Sequence, residues 1–280
     1  MNHPQIAAFA RLAKENEPPL RKLEGQKTLL SRTMHDLAYD EIHDEIVVTS
    51  PFAQAILTFR GGANGEEPPI RVIQGPRTRI VEARALDAVA IDPVHNEIYL
   101  ATSAENILVF PREAHGDVEP IRVIGGPDSP VGSRSRMRID PVRNLLVVSD
   151  PRGVVVFDRR ATGNARPRAI IPGPKTGYAQ FALSPAGFVI TNHDAGTLEA
   201  WSLEEGLRLF ENARGNEKPV LRPSWRITAE IPKTYQTGGP GIALNPAQNE
   251  IIMSDAARNH IWTFVVPEAF REEPPRTAAR

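Results

Sequence analysis

Five copies of one strand pattern constrain the fold of this chain more than any other feature. Each copy has a short alternating apolar run, a tight turn with Asp-Pro or an equivalent, and then a β-branched run, which together predict a β-hairpin. The copies are "LAYDEIHDEIVV" from residue 37, "VAIDPVHNEIYL" from 89, "MRIDPVRNLLVV" from 137, "FALSPAGFVI" from 181 and "IALNPAQNEIIM" from 242. The turn residues recur roughly every fifty residues, a period typical of repeat folds.

Two further strands follow each hairpin. The third run ends in an aromatic residue in every copy: Phe59, Phe110, Phe157, Trp201 and Phe264. The fourth run lies in a recurring phrase, as in "EEPPIRVIQGP" from residue 66, and carries a glycine at Gly25, Gly75, Gly126 and Gly173. A small four-stranded antiparallel sheet has two apolar faces that it cannot bury alone, and radial stacking of such sheets covers both.

The sequence therefore predicts an all-β, five-bladed β-propeller with four antiparallel strands per blade, and a six-bladed form is the alternative. We expect one domain over residues 1–280, with repeats at about 26–75, 76–126, 127–173, 174–229 and 230–266. The N-terminal strand, residues 17–25, is expected to close the last blade as its fourth strand. The connection 203–240 is longer than the others and predicts a helical turn or two, either as a tolerated insertion or as a functional loop.

Composition removes several classes of function. The formal net charge is −1, so no global field would attract nucleic acid or an anionic membrane. The chain has no cysteine, which excludes disulfides, thiolate catalysis and cysteine-ligated zinc. The sequence predicts no membrane span and no signal peptide. We expect export if a leader has been removed from this chain and a cytoplasmic protein otherwise.

The last repeat, "GIALNPAQNEIIMSDAARNHIWTF", resembles an NHL-type propeller repeat. The phrases "AHGDVEPIR", "ATGNARPR" and "I-x-G-P-x-T" are similar to those of bacterial NHL-like or YVTN-like propeller proteins, many of them exported. The resemblance covers about residues 17 to 266 and implies a propeller. Because that group includes protein-binding and RNA-binding modules as well as lyases and hydrolases, the resemblance implies no single function.

One arginine interrupts an alanine column on the predicted inner strands. The column contains Ala38, Ala90, Arg138, Ala182 and Ala243. Arg138 is a candidate anchor for an anionic ligand, because a guanidinium offers a planar set of donors. The alternative is a structural arginine paired with Asp36 or Asp87, since a buried charge requires a partner.

Polar residues at the entrances to the inner strands are expected to meet at one mouth of the axial channel. They are His35, Asp36, Asp87, Ser135, Arg136, Gln180 and Gly241. A histidine with two carboxylates is compatible with a divalent cation or with acid–base catalysis. A satisfied polar network around water is the alternative.

The ends of the second strands carry another set of polar residues, Ser50, Thr102, Asp150, His193 and Asp255. A shared structural role, such as accepting N–H groups of the following turn, explains their recurrence. Asp150 and Asp255 are nevertheless candidate ligand-binding residues, together with Arg136, Arg138 and Gln180. His193 is the exception, because histidine caps turns less readily and Asp194 could orient its ring.

These observations favour a rigid scaffold, not an enzyme, that presents a loop face and an axial pocket to a protein, peptide, glycan or small ligand. The first alternative is a hydrolase or lyase with an axial, metal-dependent site in which His35, Asp36, Asp87 and His193 are the catalytic candidates. The second is an RNA-binding propeller that uses basic residues at 134–138 and 214–226. We expect no cofactor apart from a cation in the axial channel under the first alternative, no membrane or nucleic-acid partner, and a monomer.

Overall fold

The structure is a computed structural model that describes ten stretches of the chain. These are residues 4–31, 36–80, 86–132, 135–150, 153–171, 181–193, 197–214, 219–228, 241–255 and 260–271. The fold is a five-bladed β-propeller: five antiparallel sheets each contain one copy of the predicted hairpin, and a two-stranded sheet precedes them. The chain divides into two compact units, Met1–Met137 with Thr162–Ala165, and Arg138–Ala161 with Arg166–Arg280. This division into units does not test the single domain expected over residues 1–280, which stays a prediction.

The first unit is built from three antiparallel sheets. Its strands are β1 (Gln5–Ala8), β2 (Arg21–Glu24), β3 (Leu37–Asp40), β4 (Glu45–Ser50), β5 (Ala55–Arg60), β6 (Arg71–Ile73), β7 (Leu86–Asp92), β8 (Glu97–Thr102), β9 (Asn106–Pro111) and β10 (Arg122–Ile124). Strands β1 and β2 pair with each other, while β3–β6 and β7–β10 form four-stranded sheets in chain order. A single 3-10 turn at Gln26–Thr28 follows β2, and another at Pro76–Thr78 follows β6.

The tight turn between the first two strands of a sheet depends on its aspartate. The buried carboxylate of Asp40 accepts hydrogen bonds from the backbone N–H groups of Ile42 and His43, both at 2.9 Å, and contacts the His43 ring at 2.8 Å. Asp92 makes the same contacts with the next turn, including one of 2.9 Å to His95. These histidines therefore belong to turns.

The recurring phrase forms a backbone joint between one sheet and the next. The backbone N–H of Gln74, just after β6, donates to the Gly116 carbonyl at 3.1 Å, and the Gly116 N–H returns a bond to the Val72 carbonyl at 2.7 Å. Gly116 has φ of 78°, a left-handed conformation that favours glycine. Gly65 and Gly163 repeat this joint with Leu23 and Ile124. The phrase is thus structural, which explains its repetition.

Alternating apolar residues of the two four-stranded sheets form the core of this unit. Val47 and Ile56 from the sheet β3–β6 pack with Val89, Ile98 and other residues of the sheet β7–β10. The third-strand aromatics Phe59 and Phe110 are completely buried, as the sequence predicts.

The second unit has three sheets and the one helix among the described residues. Its strands are β11 (Met137–Asp140), β12 (Leu145–Asp150), β13 (Gly153–Asp158), β14 (Ala169–Ile171), β15 (Phe181–Leu183), β16 (Phe188–His193), β17 (Thr197–Ser202), β18 (Trp225–Thr228), β19 (Ile242–Asn245), β20 (Glu250–Asp255) and β21 (His260–Val265). The sheets β11–β14 and β15–β18 have four strands, and β19–β21 has three. Two 3-10 turns lie at Pro246–Gln248 and Pro267–Ala269.

The long fourth connection contains a helix of ten residues, α1 (Leu203–Asn212), longer than the turn or two expected. The Ser202 hydroxyl caps it by accepting a hydrogen bond from the Glu205 N–H at 3.2 Å. Its buried side packs Leu203 into a core with Ile171 and Leu221. The helix therefore covers apolar side chains of the second unit, and a functional role for residues 203–240 stays a prediction.

The pairing of the N-terminal strand differs from the expectation for residues 17–25. Strand β2 pairs antiparallel with β1, with Leu23 opposite Ile6. The last sheet contains three strands within the described residues. Our expectation that residues 17–25 serve as the fourth strand of that sheet is thus not met by the strand pairing. The sequence analysis missed β1 because its four residues lie outside the five repeats.

Candidate functional site

The first four-stranded sheet exposes apolar side chains on its first strand. Leu37 and Tyr39 are 51% and 55% exposed, whereas Val89, the residue of the next sheet that corresponds to Leu37, is only 1% exposed. Ile46, opposite Tyr39 on β4, is half-buried. We call Ile6, Leu37, Tyr39 and Ile46 the open face, because these residues line one cleft.

The cleft has a volume of about 410 Å³ and combines apolar walls with a few polar groups. The Tyr39 hydroxyl donates a hydrogen bond to the Asp44 carboxylate at 2.8 Å, and this bond raises the pKa of Tyr39. The Arg21 guanidinium donates to the Gly61 carbonyl at 3.0 Å. A wide apolar surface with few directed polar groups is typical of a binding site.

Buried ion pairs recur at the start of the second strands. Glu45 is paired with Arg71 of its own sheet and with Arg112 of the next, the latter at 3.0 Å. Glu97 repeats the first pair with Arg122 at 2.7 Å, and its carboxylate raises the pKa of that arginine. A carboxylate between guanidinium groups compensates charge that burial would otherwise penalise. These residues are structural, and the sequence analysis missed them.

Two residues predicted at the channel mouth are brought together. Arg136 and Asp36 form an ion pair at 3.6 Å between side chains that are 18% and 16% exposed. His35 and Gln180 lie outside the described residues, as does the side chain of Asp87. The neighbouring Ser135 is buried, and its hydroxyl accepts a hydrogen bond from the Gly132 N–H at 2.9 Å. The chemistry proposed for this mouth stays a prediction.

Arg138, the exception in the alanine column, lies on β11. Its guanidinium carbon is 5.7 Å from the centre of the Phe181 ring, within the range of a cation–π contact. A phenyl ring was not among the partners that we expected for Arg138. Its role as an anion anchor stays a prediction.

The polar residues at the ends of the second strands differ in their contacts, and among those described Thr102 is the one seen to bond the turn that follows it. The Thr102 hydroxyl donates to Asn106 at 2.9 Å and accepts from the Ala104 N–H at 3.2 Å. The Ser50 hydroxyl donates to the Leu29 carbonyl at 3.2 Å. Asp150 is buried. The side chains of His193 and Asp255 lie outside the described residues, so the roles predicted for them remain untested.

In the described stretches, no three His, Asp or Glu side chains are arranged to hold a metal ion. None of the helices found there has the length and apolar character needed to cross a membrane.

No model of a protein family fits the chain, and no curated protein resembles it significantly. The NHL-like or YVTN-like repeat type therefore stays a prediction from the phrases quoted above. The propeller architecture rests on the strand pairing.

Proposed function

We propose that the protein is a binding module and that the open face contacts its ligand. The observation that carries this proposal is the exposure of Leu37, 51% against 1% for Val89 at the corresponding position of the next sheet. Burying an exposed leucine contributes about 1.5–3 kcal/mol. A partner that covers the open face would gain this contribution from several side chains at once.

The shape and chemistry of the cleft favour a peptide as the ligand. Apolar walls accommodate aliphatic or aromatic side chains, while the Tyr39 hydroxyl and the Arg21 guanidinium are available to orient polar groups of the ligand. Gly62 lines the cleft and has open space beside its Cα, which leaves room for a main chain to approach. The hydrolase or lyase and the RNA-binding alternatives stay predictions, because no contact among the described residues favours either.

A library of displayed peptides, selected against the purified protein, tests this proposal. We expect the selected peptides to lose affinity by about tenfold or more in Leu37→Asp, because the substitution places a charge in the apolar wall. The control is Val94→Asp, since Val94 is 54% exposed in a turn away from the cleft, and its peptide affinities should equal those of the wild type. Peptides that bind Leu37→Asp as tightly as the wild type would refute the proposal.

A further inference from the structure

The N-terminal hairpin repeats the outer half of a four-stranded sheet. Leu23 pairs with Ile6 just as Ile73 pairs with Ile56 in the next sheet. The spacing from Ile6 to Phe9 also equals the spacing from Ile56 to Phe59, the aromatic end of a third strand. Strand β1 thus occupies the position of a third strand, and β2 occupies that of a fourth.

The joint to the following sheet confirms this correspondence. The Glu24 N–H donates to the Gly65 carbonyl at 3.0 Å, and the Gly65 N–H donates to the Lys22 carbonyl at 2.9 Å. Gln74 and Val72 make the same two contacts with Gly116. The hairpin therefore precedes the sheet β3–β6 in the same way as that sheet precedes β7–β10.

The inner half of this N-terminal sheet is not formed by the described residues of the first unit. Each complete sheet of the unit pairs its third strand with a second strand, β4 with β5 and β8 with β9. Strand β1 has β2 as its neighbour in a sheet of only two strands. Phe9 is accordingly 46% exposed, whereas its counterpart Phe59 is fully buried.

Arg21 indicates what a strand in this position would carry. It corresponds to Arg71 and Arg122, the first residues of the fourth strands β6 and β10. Those two arginines bind Glu45 and Glu97, which begin the second strands. Arg21 donates to the Gly61 carbonyl at 3.0 Å, a neutral acceptor, so a carboxylate would form a stronger, charge-assisted bond with it.

We propose that the open face binds an extended peptide strand that adds antiparallel to the edge of β1 opposite β2, an edge that pairs with no strand of the described residues, and that begins with a glutamate. The glutamate binds Arg21, and alternate apolar residues after it pack on Leu37 and Ile46, which line the cleft beside β1. Main-chain hydrogen bonds provide affinity and the side chains provide specificity, as in other cases of strand addition. This inference rests on the proposed function and specifies its ligand.

The probe is a fluorescein-labelled peptide, Glu-Ile-Tyr-Leu-Ala-Thr-Ser-Ala-Glu, which copies the second strand from residue 97. Fluorescence anisotropy should show saturable binding to the wild type. Exchanging the first glutamate for lysine should weaken binding by about tenfold. The Arg21→Glu variant should reverse this preference and bind the lysine peptide better.

Two controls distinguish strand addition from non-specific binding of the peptide. Lys22→Ala removes the neighbouring cation, which pairs with Glu24 at 2.8 Å, and should leave the affinity unchanged. A peptide with N-methylated alternate residues keeps its side chains and should lose binding, because it cannot donate the required main-chain hydrogen bonds. Thermal unfolding of each variant shows whether it is folded. The glutamate-to-lysine exchange is made in the peptide, so that comparison does not depend on the folding of a protein variant.

Several results would overturn the inference. The inference fails if the peptide probe does not bind. It also fails if the affinity stays the same when the charge of the first peptide residue or of residue 21 is reversed. A dimer that forms as the protein concentration rises and that protects Tyr39 from chemical labelling would assign the open face to a second copy of this chain instead. This inference alone would be refuted by selected peptides whose affinity depends on Leu37 but that carry no acidic residue and bind the Arg21→Glu variant equally well. If no peptide depends on Leu37 for its affinity, the proposed function is refuted as well.

Discussion

At the scale of single residues, charged side chains in the core are tied to specific partners. Glu45 is 6% exposed and Arg112 is 8% exposed, and Glu45 also binds Arg71. Removing the carboxylate would leave Arg71 without this counter-charge and Arg112 with only the exposed Glu113, at a cost that exceeds the loss of one hydrogen bond. Glu45 thus links the sheet β3–β6 to Arg112 of the next sheet.

We expect Glu45→Ala to lower the free energy of unfolding by about 3–5 kcal/mol, the usual cost of breaking a buried ion pair. Glu67→Ala is the control, because Glu67 pairs with Arg60, a side chain that is 61% exposed, and its free energy of unfolding should change far less than that of Glu45→Ala. Urea denaturation followed by far-ultraviolet circular dichroism measures both. Equal effects of the two substitutions would contradict the assignment of Glu45 as a buried structural anion.

Sequence reasoning identified some of these residues because their roles are local. The turn aspartates Asp40 and Asp92 act on backbone groups two and three residues away, so the printed order of residues reveals their contacts. Glu45 and Arg112 are far apart in the chain. Only the register of two different sheets brings them together, which no local pattern specifies.

At the scale of elements, the strands and their hairpins follow from the repeat, whereas two elements outside it were missed or underestimated. Strand β1 was missed because "QIAAFA" contains three alanines, which have low strand propensity. The pairing of Ile6 with Leu23 stabilises it. Helix α1 was expected as one or two turns, and a serine cap with two acidic residues in its first turn extends it to three.

We expect Ser202→Ala to destabilise the second unit by about 1 kcal/mol, because the Glu205 N–H loses its acceptor. Ser202→Asp retains an acceptor at the same place and should keep nearly the full stability. Chemical denaturation of the two variants measures the difference. A Ser202→Ala protein as stable as Ser202→Asp would show that the cap contributes nothing to this helix.

At the scale of the whole molecule, the repeat length, the aromatic positions and the fold class could be predicted from the sequence. The open face could not, because Leu37 and Val89 occupy equivalent positions in equivalent strands. Whether such a residue is buried or exposed depends on the sheet that precedes its own sheet and covers its first strand. That information is carried by the N-terminal hairpin, which provides two strands instead of four.

Deletion of residues 1–25 tests the contribution of this hairpin. We expect the free energy of unfolding to fall by more than about 3 kcal/mol, because Leu23 is 2% exposed and the loss of a single buried leucine side chain already costs about 2–5 kcal/mol. A deletion of residues 1–3 is the control and should match the full chain. Unchanged thermal unfolding after the longer deletion would show that the hairpin is dispensable.

The joints at Gly65, Gly116 and Gly163 have a consequence for how such a chain evolves. Each joint pairs main-chain atoms around one left-handed glycine. A duplicated segment that retains the turn would keep this main-chain joint with its neighbour, and only side-chain pairs such as Glu45 with Arg112 would need to match. Gene duplication can therefore lengthen or shorten this architecture by whole repeats, while the surfaces exposed on each repeat diverge independently.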